Sequence, residues 1–287
     1  MIDHLPVLKT YKLYIGGKFP RTESGRYFPV NDKNQKLLAN MCRASRKDFR
    51  EAVVSARSAF AGWSGRAAYN RGQILYRIAE MMEGRREQLI SELESQGVKS
   101  NLAKREVTEA VDRFVYYAGW SDKFQQVFSS VNPVATSHFN FTMPEPTGVV
   151  AVMAPDDPSL LSLASIISTV IVGGNTAIIL ASETKPLTAI TLSEILNTSD
   201  LPAGVVNILT GFREELIPHF ASHMDVNAFW YAADNQNDTK KIQELAAENV
   251  KRVCFTKFRT WREDEAESPY VIEPFLEIKT TWHPVGY

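Results

Sequence analysis

The 287-residue sequence contains only two cysteines, Cys42 and Cys254. Two distant cysteines supply neither a disulfide framework nor the paired spacing of a zinc site, and they suit a reducing cytoplasm. Net charge is equally scarce: 32 basic against 33 acidic residues leave a formal −1. A nucleic-acid groove or an anionic membrane surface needs a basic excess, so neither partner is expected. The most apolar run, LLSLASIISTVIV at 160–172, stops at Gly173-Gly174. It falls short of the ~20 residues that span a bilayer. The opening MIDHLPVLKTYKL has no apolar h-region, so no secretory signal is expected and a cytoplasmic location follows. Glycine is absent from FWYAADNQNDTKKI, 229–242, where an apolar strand runs into a helix. A nucleotide-binding fold would carry its phosphate loop there.

What is present is ordinary for a globular chain: 44% hydrophobic and 23% charged residues, enough for a sizeable core and one or two domains. YKLYIGGKFPR reads as a hairpin with alternating Tyr11, Leu13 and Ile15 and a Gly16-Gly17 turn. From Ser45 the period becomes helical, with Ser45 and Asp48 as a capping-box start. Three apolar stripes follow: Phe49, Val53, Ala56, Phe60 and Trp63; then Ile74, Ile78, Met82, Leu89 and Leu93; then Val107, Val111, Phe114, Val115 and Ala118. SHFNFTM alternates His138, Asn140 and Thr142 with Phe139, Phe141 and Met143, a strand with one wet face.

After Pro146 the rhythm is strand and helix in turn. Apolar strands at 148–155, 176–180, 205–210, 227–232 and 251–255 alternate with helices near 158–172, after Pro186, 213–222 and 236–248. That alternation defines a doubly wound parallel α/β sheet covered on both faces. TWREDEAESP, 260–269, is charged and aperiodic and reads as a solvated linker. A last strand alternates Leu276, Ile278, Thr280 and Trp282 with Glu277, Lys279 and Thr281. Alone it would be unstable, so it is expected to pair with the half-exposed strand at 138–143.

In order along the chain, YIGGKF, EAVVSARSAFAGW, YRIAEMMEGRREQLISELESQG, FVYYAGWSDK, EPTGVVAVMAP, GGNTAIIL, LPAGVVNILTG and PFLEIKTTWHPVGY resemble the aldehyde dehydrogenase superfamily. The resemblance implies a modified Rossmann-type dinucleotide-binding domain over 1–135 and 148–258, with a long-helix layer in front. It implies a small antiparallel oligomerisation arm from 136–147 and 270–287. It also implies a catalytic domain with a cysteine nucleophile, for which this chain has only the 259–269 linker. In lacking that domain the sequence resembles the degenerate second unit of aldehyde dehydrogenase family 16.

Carried over residue by residue, the family's chemistry is largely missing. Cys42 precedes the first helix, and Cys254 falls in a predicted core strand, where a thiol is quiet. The family's oxyanion donor, an asparagine after Pro155, is matched by Asp157, a carboxylate that only accepts hydrogen bonds. As an alternative, Asp157 before Pro158 suits a helix N-cap. The general base is matched by Thr256. Of the ribose-binding pair, Glu183 remains and the lysine's place is Ala181. Gly211 is kept. The phosphate-loop Gly-Ser becomes Ala233-Asp234, which adds a Cβ and a negative charge. His219 and His223 have i,i+4 spacing but no third metal ligand.

These residues imply a non-catalytic family member, a structural or regulatory subunit acting with a full-length NAD(P)-dependent aldehyde dehydrogenase. Its contact with that enzyme or with itself would run through the strands at 138–143 and 273–283. The alternatives are a dinucleotide-binding module without catalysis, where NAD or NADP binds weakly, or an active aldehyde oxidoreductase.

Overall fold

The computed structural model describes residues 8–233, 236–256 and 258–286. At the N-terminus the expected hairpin is present and short. Gly16 and Gly17 both take positive φ, the requirement of a primed turn. Ile15 and Lys18 exchange both backbone bonds at 3.0 Å and Leu13 N donates to the Pro20 carbonyl at 3.0 Å, while Tyr14 bridges to Ile208 of the central sheet. A second hairpin, absent from the sequence reading, follows as β1 (Tyr27–Asn31) and β2 (Leu37–Cys42). Asp32 builds its turn by accepting from Asn34 N and Lys36 N, each at 2.8 Å, a side-chain-supported loop.

Four long helices make the front layer: α1 (Arg46–Ser64), α2 (Ala68–Glu83), α3 (Arg86–Ser95) and α4 (Ser100–Trp120). The capping box is present, with Ser45 N donating to Asp48 Oδ2 at 2.7 Å and Asp48 N to Ser45 Oγ at 3.4 Å. The second apolar stripe belongs to two helices rather than one, because α2 ends at Gly84. Val115 is exposed, so α4 buries a narrower stripe than expected. A short helix, α5 (Phe124–Phe128), leads to β3 (Ser130–Asn132) and β4 (His138–Pro146).

The core is a five-stranded parallel sheet of β5 (Val149–Met153), β6 (Thr176–Leu180), β7 (Val206–Leu209), β8 (Ala228–Tyr231) and β9 (Arg252–Phe255), in the order β7-β6-β5-β8-β9. Between them run α6 (Ser159–Val172), α7 (Leu187–Asn197), α8 (Arg213–Ser222) and α9 (Thr239–Ala246). The fourth helix is shorter than the expected 236–248, being flanked by 3-10 turns at 236–238 and 247–249. Helix α6 is buried along its whole length, so its ends need partners from elsewhere. Glu106 of α4 accepts from Leu160 N at 2.7 Å, while Trp63 Nε1 and Arg71 Nε donate to the carbonyls of Ile171 and Val172 at 2.9 and 3.1 Å. A carboxylate at the amino end and a guanidinium at the carboxyl end both complement the helix dipole. Among the described residues, no helix is long and apolar enough to cross a membrane.

The last strand, β10 (Leu276–Pro284), pairs antiparallel with β4 from Leu276 opposite Pro146 to Pro284 opposite His138, as expected. Its sheet has the order β10-β4-β3. The wet face of β4 is the opposite of the one expected. Asn140 is buried, whereas Phe139 and Met143 are 47% and 44% exposed. The polar residues turn inward because Asn132 Nδ2 donates to Asn140 Oδ1 and Thr142 Oγ1, each at 2.7 Å.

The 260–269 segment is not a solvated linker. Trp261 and Ala266 are buried, and the Trp261 ring lies 5.8 Å from Trp230 and 4.8 Å from Phe258. Buried Arg113 of α4 holds it by donating to the carbonyls of Trp261, at 3.0 Å, and Ala266. Acidic residues face outward and one tryptophan anchors the stretch, a pattern too sparse to register as a period.

Candidate active site

In an open α/β sheet, ligands bind outside the carboxyl ends of the strands. There the chain has two adjoining clefts, of about 820 and 890 Å³. Pro155, Asp157, Tyr231 and Ala233 border both, so the structure brings together the loops after β5 and β8. Glu183, after β6, lines the smaller cleft. Asp234 lies outside the described residues.

Arg213, the first residue of α8, organises the smaller cleft. Its guanidinium donates to Asp156 Oδ2 and to the Ala154 carbonyl, each at 2.8 Å, and lies 3.8 Å from Glu183 Oε2. Its backbone N–H donates to Glu183 Oε1. Asp156 also accepts from Ser182 Oγ at 2.7 Å, Glu183 N at 2.8 Å and Thr184 N at 3.2 Å. Burial alone would raise the Asp156 carboxyl, but the hydrogen bond and charge of Arg213, with the Ser182 and Thr184 donors, bring it down to about 2. Burial opposes the Arg213 cation, yet Asp156 and Glu183 raise it overall. Three loops are thus tied by one guanidinium. Sequence analysis missed both Asp156 and Arg213, because no motif links a carboxylate to an arginine 57 residues away.

The other candidates have local roles. Asp157 is not an N-cap: α6 starts at Ser159 after Pro158, without a side-chain cap of its own. The Asp157 carboxylate instead takes Lys185 Nζ at 2.6 Å, and Glu106 serves the helix end. Gly211 has φ +155, and a Cβ there would meet Ala44 N at 3.2 Å, so the chain leaving β2 requires a glycine. Tyr231, at the end of β8, donates to Asp238 Oδ2 at 2.7 Å. Burial and that carboxylate push its hydroxyl well above the ordinary phenol range. Thr256 accepts from Trp230 Nε1 at 3.2 Å.

The thiols are elsewhere. Cys42 is buried and its Sγ lies 3.7 Å from the Tyr11 carbonyl. Cys254 is half-buried rather than fully buried, and packs on the Trp230 side of the sheet. It faces a third cavity, of about 740 Å³, shared with Phe258, Tyr270 and Phe275. Among the described residues, no three His, Cys, Asp or Glu side chains come together as a metal site.

A doubly wound parallel sheet with a long-helix layer and a small antiparallel arm is the dinucleotide-binding architecture. The aldehyde dehydrogenase family model matches residues 20–256, and the chain belongs to that family. It is 30% identical over 258 residues to the cytosolic 10-formyltetrahydrofolate dehydrogenase of Mus musculus, covering 88% of this chain and 29% of that one. It is 32% identical over 250 residues to the cytosolic aldehyde dehydrogenase 1 of Elephantulus edwardii, covering 84% and 49%. Among solved structures, the NAD+ complex of the Bacillus cereus aldehyde dehydrogenase superposes with a TM-score of 0.81 at 26% identity, covering 86% of this chain and 50% of that one. HpcC of Thermus thermophilus does so with 0.81 at 28% identity, covering 86% and 48%. The chain therefore spans half or less of the length of these relatives.

Proposed function

We propose that this chain is a non-catalytic member of the aldehyde dehydrogenase family, a structural or regulatory subunit that acts with a full-length NAD(P)-dependent aldehyde dehydrogenase in the cytoplasm. The observation that carries the proposal is the Arg213 network. A dinucleotide needs donors and open backbone at the strand ends, and here the donors are spent on the protein's own carboxylates. Asp156 and Asp157 add negative charge to the cleft, and Glu183, the retained ribose position, is held by Arg213. The residues present therefore fit a nicotinamide dinucleotide poorly.

Two further features support the reading. The family match ends at residue 256, and the segment from 259 to 269 leads back to the arm. We read this segment as a bypass of the family's catalytic domain, as in the degenerate second unit of family 16. Trp261 and Ala266 are buried, with Trp261 against Trp230 of β8 and both carbonyls held by Arg113 of α4. The two strand-end clefts have no thiol in their lining, and Cys254 meets Thr256 only in the third cavity, which Asp157 does not line; on this reading the acyl-transfer step of aldehyde oxidation lacks its nucleophile. Assembly would use the strands at 138–143 and 273–283, where Phe139, Met143, Ile278 and Trp282 are exposed.

A second reading, dinucleotide binding without catalysis, draws on Glu183 and Gly211 and on the clefts themselves. Calorimetric titration of the purified chain with NAD+ and NADP+ separates the two. No saturable heat up to millimolar nucleotide is expected, whereas a dissociation constant below about 0.1 mM would establish the second reading. Turnover of an aldehyde with NAD+ by the isolated chain, lost in Cys254→Ala, would overturn both.

A further inference from the structure

We propose that two copies of this chain join through the free edge of β10, antiparallel and centred on Thr280, to make one continuous six-stranded sheet. The inference rests on the reading of the arm as an assembly surface and gives that surface a register and a partner.

The direction of each backbone group in β10 is settled by its neighbours. The Phe275 carbonyl accepts from Thr147 N at 3.2 Å, and Val285 N donates to the Ser137 carbonyl at 3.0 Å. Odd-numbered residues thus turn their N–H and C=O toward β4. The residues of β4 opposite Leu276 and Ile278 are Pro146 and Pro144, which have no N–H to offer an even-numbered carbonyl. Even-numbered residues therefore turn outward. The outward carbonyl of Leu276 is already taken, by Arg252 Nη1 at 2.7 Å, which also binds the Pro274 carbonyl at 3.0 Å. At the other end Pro284 has no N–H. What remains is a short open edge of Ile278, Thr280 and Trp282, flanked by no other strand among the described residues.

An unpaired edge is a template for another strand, and this one is complementary to itself. Rotation of a second copy about Thr280 sets Thr280 against Thr280 and Ile278 against Trp282, twice. All three outward residues then exchange both of their bonds, about six in total. A twofold axis through residue 279 would call on Leu276, whose carbonyl Arg252 holds. An axis through residue 281 would call on Pro284, which cannot donate. The side chains agree with the chosen register. Ile278 and Trp282 are 51% and 57% exposed on one face, and the axis makes them a cross-strand aliphatic–aromatic pair. On the other face, Glu277 comes opposite His283.

The test uses the full chain in analytical ultracentrifugation and oxidative cross-linking. A dimer is expected in the tens of micromolar range, and Thr280→Pro, which removes an outward N–H and no backbone bond to β4, only the 3.3 Å hydroxyl contact with Thr142, is expected to weaken it about tenfold or more. Thr280→Cys should form an intermolecular disulfide, because facing residues of a hydrogen-bonded pair lie about 5.5 Å apart at Cα. Ile278→Cys should not, since its two copies would stand about 13 Å apart along the strand. A dimer that survives T280P, or that cross-links through I278C, overturns this register and leaves the assembly reading standing. A strictly monomeric chain that binds a full-length aldehyde dehydrogenase overturns self-pairing alone. A monomer that binds neither overturns both.

Discussion

The guanidinium of Arg213 meets the Asp156 carboxylate at 2.8 Å, and between them they close three loops over the carboxyl ends of β5, β6 and β7. Removing one member of such a pair leaves the other partly buried and uncompensated. Asp156→Asn is expected to cost about 2 kcal/mol in urea unfolding, a figure reduced for the partial exposure of the carboxylate. Because the folded-state carboxyl is depressed to about 2, the contribution is complete above the ordinary Asp range near pH 4 and drains as pH falls toward 2. The difference between wild type and variant should shrink over that interval; a difference that stays constant to pH 2 would discount the pair.

Glu106 presents the opposite sign. Burial raises its carboxyl, only partly offset by the Leu160 and Leu161 N–H groups. The folded state thus holds a proton that the unfolded state gives up near pH 4.5, and stability contributed by the site declines as pH rises through that interval. Glu106→Gln keeps an acceptor for the helix end and is expected to remove this decline at little cost. Glu106→Ala orphans two buried donors and is expected to cost about 2–4 kcal/mol. Chemical denaturation of the three proteins at pH 4, 5, 6 and 7 provides the comparison.

Lys251 is buried, donating to the carbonyls of His223 and Val226 at 2.7 and 3.1 Å, and burial brings its ammonium down to about 8. Between pH 8 and 10.5 the unfolded chain binds more protons at this site, so stability supplied there rises with pH and is lost as pH falls back through 8. Relative to wild type, Lys251→Met should lack that rise. Equal slopes in the two proteins from pH 8 to 10 would show the amine to be solvated.

Trp261 is the anchor of the 259–269 segment. Trp261→Ala is expected to cost about 3–5 kcal/mol and to open the 259–269 stretch to trypsin at Arg259 and Arg262. Arg262→Ala, which removes only the 2.8 Å contact to Glu109, should leave the stretch resistant to cleavage at Arg259. Rapid cleavage at Arg259 in that variant or in wild type would contradict a docked segment.

The parallel core was readable because strands buried on both faces appear as unbroken apolar runs, as in VVAVM and TAIIL. The β1–β2 hairpin escaped notice because Pro29 and Asn31 interrupt a short strand and its turn rests on Asp32. The inverted face of β4 could not be read from alternation alone. The pattern separates Phe139 and Phe141 from Asn140, but which set turns inward is decided by Asn132, eight residues away. At the candidate site, the sequence pointed to the loops after β5, β6 and β8 through Asp157, Glu183 and Ala233, which line the strand-end clefts. It did not show that Arg213 occupies the space, since a single arginine after Gly211-Phe212 carries no local signature.

The clamped ends of α6 set the way this molecule can come apart. Its first turn hangs on α4 and its last on α1 and α2, so the front layer cannot peel away while that helix survives. Amide protons of α6 should therefore exchange only through whole-domain opening, with no partly opened state in which the layer swings free. Strand-end loops, which Trp63, Arg71 and Glu106 do not tie to α6, are where a partner could remodel the protein without breaking these clamps.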